Sequence, residues 1–258
     1  MATKAAFRQF HPRLSLIGAP GSGKGSYGRI LAQHWQVPLV SVSDVLRQRQ
    51  CEAIQEAKSA GKLVDDEIVS EVLMEHFTKE DAEHKGFILD GFPRTIQQVQ
   101  LMEGTWPTVL QVQAAIHLNV PAEICERKLL GRRICTICGN HYNVNHVISG
   151  GFDLPAQLPR PGECHNKSHN APLPQRHQLS RCDPDVHWKR RDDDEKHIVH
   201  HRLEVYTRHT EPILEYFRKK RSLFQFTPYK GYEDMPKFQS ELEQWLASHL
   251  PETVDEAQ

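Results

Sequence analysis

The run Gly18-Ala19-Pro20-Gly21-Ser22-Gly23-Lys24 has the spacing G-x-x-x-x-G-K, which suits the holding of phosphate. Glycines let successive backbone N–H groups converge on phosphate oxygens, a following helix adds its N-terminal dipole, and Lys24 brings a mobile positive charge toward the β- and γ-phosphates. The general pattern wants Ser or Thr directly after the lysine, whereas here Gly25 intervenes and Ser26 follows. Gly23-Lys24-Gly25-Ser26-Tyr27-Gly28 also fits a dinucleotide fingerprint, with Asp44 at a suitable distance. That reading leaves Lys24 in a tight turn without a task, so the phosphate loop is the better one. A second cluster lies further on. Cys135 and Cys138 have the spacing of a metal knuckle, Cys164 and Cys182 follow, and ten of the sixteen histidines fall between His141 and His209.

These residues must be positioned by something, and the chain alternates short apolar runs with helix-period segments, as βαβ units around a parallel sheet do. Leu14 to Ile17 reads as a buried strand ending in the glycine loop, and Lys24 to Trp35 as the helix that follows. Pro38 to Val42 is a strand leading through Ser43 and Asp44 into one helix that carries Leu46, Arg47 and Ile54. Ile68 to Phe77 is an amphipathic helix, Phe87 to Leu89 a strand stopped by Asp90-Gly91-Phe92-Pro93, Ala114 to Leu118 a strand, and Ala122 to Leu130 a helix. After Gly131 the periodicity is lost, and loops with short hairpins are expected. Asp192 to Lys220 returns as a long helix, with a kink expected near Pro212; Leu223 to Phe226 and Phe238 to Leu250 make a last strand and helix.

The fold class expected is therefore α/β: a central parallel sheet flanked by helices, with a Cys/His-rich insertion. Residues 1–130 form a core with an acceptor-binding segment at about 43–77, residues 131–190 an inserted lid, and residues 191–258 the return to the core. Thirty-two Lys and Arg against thirty-three Asp and Glu give a net charge of −1, which removes the bulk electrostatic case for binding nucleic acid or a membrane surface. No apolar run is long enough to span a membrane. Residues 1–13 lack acidic side chains and carry Lys4, Arg8 and Arg13, a weak likeness to a transit peptide. They are too short and too poor in serine for one, so a ragged terminus and a cytoplasmic protein are expected, with an organellar one as the alternative.

With Gly18 to Ser26 and Asp90-Gly91-Phe92-Pro93-Arg94-Thr95 in view, the chain resembles the adenylate kinase family, in which G-x-P-G-x-G-K-G-T and D-G-F-P-R-T recur. The displaced hydroxyl of the loop belongs to that likeness, with Ser26 in place of Thr. The resemblance implies a monomeric P-loop kinase that moves the terminal phosphoryl group of Mg-ATP to AMP, giving two ADP. It implies an ATP site made by Gly21, Ser22, Gly23, Lys24, Gly25 and Ser26 with Lys128 and Arg132. On the AMP side it implies Ser43, Arg47, Gly91 and Arg94, backbone groups of Lys62 and Val64 in Ala60-Gly61-Lys62-Leu63-Val64, and Gln98 reading the adenine. Lys24, Arg94, Arg132, Arg191 and Arg202 are the expected catalytic residues, the last two also touching AMP. Planar guanidinium forks suit phosphate oxygens, which accounts for arginine at these positions. Asp90, through water, and Ser26 would hold Mg2+. Two departures stand out: Val42 removes a hydroxyl from the acceptor pocket, and Lys128 stands where an arginine commonly stacks on the donor base.

Gly131 to Gly139 resembles the opening of the long lid in zinc-carrying members. A structural Zn2+ on Cys135, Cys138, Cys182 and Asp185 is the expected site; Cys164 competes for the third position, nearby histidines for the fourth, and a metal-free lid is the alternative. GTP:AMP and UMP/CMP kinases are the rival activities, the long lid and Gln98 counting against the latter. A nucleic-acid-binding zinc ribbon is the rival from another class. Acidic Asp192 to Glu195 offset its basic residues, and few aromatics are present to stack bases.

Overall fold

The computed structural model describes residues 12–49, 51–79, 86–136, 139–158 and 187–250. Five parallel strands, β1 (Arg13–Gly18), β2 (Leu39–Ser41), β3 (Phe87–Asp90), β4 (Ala114–Leu118) and β10 (Leu223–Phe226), form a sheet in the order β10-β4-β1-β3-β2. Leu14 lies opposite Ile88 and Ala114, and Leu16 opposite Asp90 and Ile116. The central strands are buried on both faces, which is why they read as near-continuous apolar runs. Strand alternation sorts their side chains into two layers. Leu14, Leu16, Ile88, Ile116, Phe224 and Phe226 pack with α1 (Lys24–Trp35) and α8 (Met235–His249). Ile17 and Ala115 face α7 (Lys196–Lys219), and Phe87 and Leu89 face α4 (Asp66–Lys79), with α5 (Ile96–Thr105) contributing Val99 and Met102 to these two clusters.

The long helix expected after Asp44 is two. α2 (Val42–Gln48) starts one residue before Ser43, the first of its expected caps, ends at Arg49 in extended backbone, and is followed by α3 (Glu52–Ser59). Ile54 of α3 is buried beside Val45, Leu46 and Val69. Asp192 to Asp194 is a short 3-10 turn rather than the start of α7, which then runs through Pro212 without a break. Helix α8 begins at Met235, with a proline in its first turn, three residues before the expected Phe238. Helix α5 is not among the elements expected from the sequence, although Thr95 and Gln98 have the spacing of a capping box.

After α6 (Ala122–Leu130) the chain leaves the sheet. β5 (Arg132–Cys135), β6 (His141–Asn143) and β9 (Trp188–Lys189) make an antiparallel sheet in the order β6-β5-β9. β7 (Val147–Ser149) and β8 (Phe152–Leu154) form a hairpin through Gly150 and Gly151, both at positive φ, the conformation of a two-residue primed turn. Val147, Phe152 and Leu154 are buried in one cluster with Ile124 and Leu129 of α6 and Val199 and Leu203 of α7, and Tyr229 O accepts from Asp153 N–H at 2.8 Å.

Candidate active site

A cleft of about 1440 Å3 opens at the carboxyl ends of the parallel strands, where α/β sheets bind ligands. The glycine loop forms its floor. Gly21 is at φ 91°, and a Cβ there would lie 2.6 Å from the Cys125 carbonyl oxygen, so only glycine lets the loop pass beneath α6. Lys24 opens α1 and folds over its own loop, Nζ donating to Gly18 O at 2.6 Å and Ala19 O at 3.0 Å. Burial lowers its pKa to about 8, with Asp90 opposing the shift. Ser22 is buried, and its Oγ has no hydrogen-bond partner among the described residues.

Asp90 ends β3 beside this loop, its Oδ2 3.2 Å from where a Cβ on Gly25 would stand. Arg94 curls back so that Nε donates to Gly91 O at 2.8 Å, and burial lowers its pKa against the pull of Asp90. Thr95 caps α5 by accepting the Gln98 N–H at 3.1 Å. The Gln98 side chain accepts from Arg94 N–H at 2.7 Å and donates to Asp66 Oδ1 at 2.8 Å. Ser43, Arg47, Lys62 and Val64 line the same cleft, Arg47 half-exposed and paired with Asp44 one turn earlier.

Across the cleft, three arginines converge on two carboxylates. Arg132 donates through Nε and Nη2 to both oxygens of Asp194, at 2.8 and 2.5 Å, and Asp194 is fully buried. Arg191 Nε lies 2.8 Å from Asp193 Oδ1, and Arg202 Nη1 donates to Asp193 O at 2.9 Å and Oδ2 at 2.8 Å. Burial depresses Arg202 to about 10, with Asp193 resisting and the neighbouring arginines adding to the drop. Three guanidiniums against two carboxylates leave excess positive charge facing the phosphate loop, with donors to spare on each fork.

The adenylate kinase family model matches residues 16–222. The chain belongs to the adenylate kinase family. It is therefore a nucleoside monophosphate kinase, a phosphotransferase. It is 34% identical over 241 residues to the adenylate kinase of Nitrosococcus oceani, covering 91% of this chain and 98% of that one. It is 33% identical over 216 residues to the adenylate kinase of Thermotoga maritima, covering 80% and 86%. A GTP:AMP phosphotransferase of Plasmodium falciparum is 30% identical over 237 residues, covering 88% and 94%.

Within this adenylate kinase fold, the cleft brings together every expected nucleotide-site residue that the loop, the acceptor segment and the arginine set supply. Lys128 also lines it, but its Nζ donates to Asn145 O and Pro155 O, both at 3.2 Å, and burial lowers its pKa to about 8. Asn143 Nδ2 and Asn145 Nδ2 return hydrogen bonds to the carbonyls of Lys128 and Arg127 at 2.7 Å, closing the C-terminus of α6. Asp193 and Asp194, which frame the arginines, are not among the site residues expected from the sequence, where that acidic run stands only as neutralising charge. Nor is Asp66, for which the sequence carries no distinctive signal. Of the expected metal ligands, Cys135 is fully buried at the end of β5; Cys138, Cys182 and Asp185, and the competing Cys164, lie outside the described residues. No group of three or more candidate metal ligands occurs among the described residues. Residues 1–11, with the basic N-terminal segment, also lie outside them, and no described helix is long and apolar enough to cross a membrane.

Proposed function

We propose that the enzyme transfers the terminal phosphoryl group of Mg-ATP to AMP, reversibly, giving two ADP. The observation that carries this reading is the ring of Lys24, Arg94, Arg132, Arg191 and Arg202 around one cleft, with Asp90 as the carboxylate at the phosphate loop. Two mutually repelling anions must be held in line while charge spreads over the migrating group, so preorganised cations are what the reaction needs most. Lys24 and the loop amides take the donor phosphates. Arg94 and Arg47 grip the acceptor phosphate, and Ser43, Gly91 and the backbone of Lys62 and Val64 line its nucleoside. Arg132, Arg191 and Arg202 close over the transferring group, exchanging part of their bonding to Asp193 and Asp194 for phosphate oxygens.

The Asp90 carboxylate against Gly25, with Ser26 the next residue of α1, suits a hard cation bound partly through water. These two residues would hold Mg2+, which when bound neutralises charge on the donor phosphate oxygens. In this reading residues 1–130 and 191–258 form the core, residues 43–77 the acceptor segment, and residues 131–190 a lid that excludes water, the competing acceptor. The lid would carry Zn2+ on Cys135, Cys138, Cys182 and Asp185. Pairing supports this: Trp188, three residues after Asp185, lies opposite Cys135 in the β5-β9 ladder. The protein acts as a cytoplasmic monomer, which sedimentation and cell fractionation check.

A coupled assay of diphosphate formation, with Mg-ATP or Mg-GTP as donor and a panel of monophosphates as acceptor, tests the activity. Mg-ATP with AMP is expected to be the fastest pair. Mg-GTP used as well as Mg-ATP, or UMP used as well as AMP, overturns the assignment.

A further inference from the structure

Two partners that cannot change roles set the orientation of the Gln98 amide. Its Oε1 accepts from the Arg94 backbone N–H and its Nε2 donates to Asp66 Oδ1. A backbone N–H can only donate and a carboxylate can only accept, so turning the amide over would set donor against donor and acceptor against acceptor. Asp66 is held in turn: Thr95 Oγ1 donates to its other oxygen at 2.9 Å. Gln98 is buried, with 2% of its surface exposed, yet lines the cleft. Once these bonds are made, the amide keeps one N–H on Nε2 and one lone pair on the neighbouring Oε1.

A donor beside an acceptor complements a heterocycle edge with an exocyclic amine next to an unprotonated ring nitrogen. Adenine and cytosine carry that edge. Hypoxanthine and uracil carry its reverse, an oxo group next to a ring N–H. We propose that Asp66 is a positioning residue that sets acceptor-base specificity, locking the Gln98 amide in the orientation that reads an amino group beside a bare ring nitrogen. This rests on the reading of Gln98 as the residue facing the acceptor base. The lock sorts bases of equal size by hydrogen-bond polarity, so it favours AMP over IMP and CMP over UMP.

The test measures kcat/KM for AMP, IMP, CMP and UMP with Mg-ATP in excess. In the wild type AMP should exceed IMP by about tenfold or more, the cost of facing a fixed donor with a donor, and CMP should exceed UMP. IMP equal to AMP, or UMP above CMP, overturns the proposal without any variant. In Asp66→Ala the KM for AMP should rise and the AMP/IMP ratio fall about tenfold, with the KM for Mg-ATP unchanged. Asp66→Asn, whose amide oxygen can still accept from Nε2, should recover most of the ratio. An unchanged ratio in Asp66→Ala, or no recovery in Asp66→Asn, overturns the lock. Gln98→Ala separates the two readings. If it keeps the wild-type ratio, Gln98 does not read the base; if it loses the ratio while Asp66→Ala keeps it, only the lock fails.

Discussion

Lys24 is a base whose charge depends on its setting. Burial lowers its pKa to about 8, and Asp90 offsets only part of that. A base with a lowered pKa is charged below that value and neutral above it, so the free enzyme loses its loop cation as pH rises through about 8. The expected outcome is a kcat/KM for Mg-ATP that falls above pH 8. For kcat the falling limb should lie at higher pH, since bound phosphate favours the protonated lysine. A profile flat to about pH 9.5 would exclude this role for the ammonium. Arg94 belongs to the other substrate. Arg94→Ala should raise the KM for AMP and lower turnover, a combined loss of about 2 to 4 kcal/mol or about 30- to 1,000-fold in kcat/KM. Mg-ATP binding, followed by titration calorimetry, should stay near wild type; an equal loss for both nucleotides would move Arg94 out of the acceptor site.

At the scale of elements, the site depends on contacts that join the sheet to the helices around it. His117 of β4 is one such joint. Gln225 Nε2 of β10 lies 3.1 Å from its Nδ1, and the Tyr206 hydroxyl of α7 lies 3.1 Å from its Nε2. The amide donates, so Nδ1 accepts and the ring proton sits on Nε2; a second ring proton would point at the amide N–H. Burial lowers the pKa from 6.5 to about 4, Lys24 and Arg218 adding to the drop while Glu211 resists it. The unfolded chain therefore binds this proton first as pH falls. Stability linked to His117 is complete above pH 6.5 and declines between 6.5 and about 4. Urea unfolding at pH 7 and pH 5 should show the wild type losing about 2 kcal/mol more over that interval than His117→Gln. Equal losses would mean that the imidazole is protonated in the folded protein. Asp193 and Asp194 act similarly, since a short turn before α7 aims two carboxylates at arginines from three separate segments.

At the scale of the molecule, the chain beyond Gly131 divides its attachments. The β7-β8 hairpin is buried against α6 and α7, whereas β5, β6 and β9 form a sheet of their own. A metal joining Cys135 and Cys138 to Cys182 and Asp185 would close the excursion between them and limit its chain entropy. Protein purified without added metal should contain about one equivalent of zinc. Chelation should lower the Tm, and phosphate-loop affinity for nucleotide should persist. Less than about a tenth of an equivalent makes the metal-free lid the better account. Cys182→Ser should release the metal and Cys164→Ser should retain it; the reverse would exchange the third ligand.

Local signals determined much of this protein. The phosphate loop, the run from Asp90 to Thr95, the five parallel strands to within one residue of their ends, and helices α1 and α6 follow from glycine spacing, apolar runs and caps, which act over a few neighbouring residues. The family likeness rests on the same short-range patterns, as does the list of cationic residues. Only the tertiary structure decided how those residues are held. It divided the expected helix after Asp44 into two, set Asp193 and Asp194 against three arginines, tied Lys128 to the carbonyls of Asn145 and Pro155, and set Asp66 of α4 against Gln98 of α5. The bonds of Arg132 to Asp194, of Lys128 to Asn145 and Pro155, and of Asp66 to Gln98 join residues far apart in the chain, and what selects them is mutual burial and hydrogen-bond complementarity, which residue type and spacing along one segment do not encode.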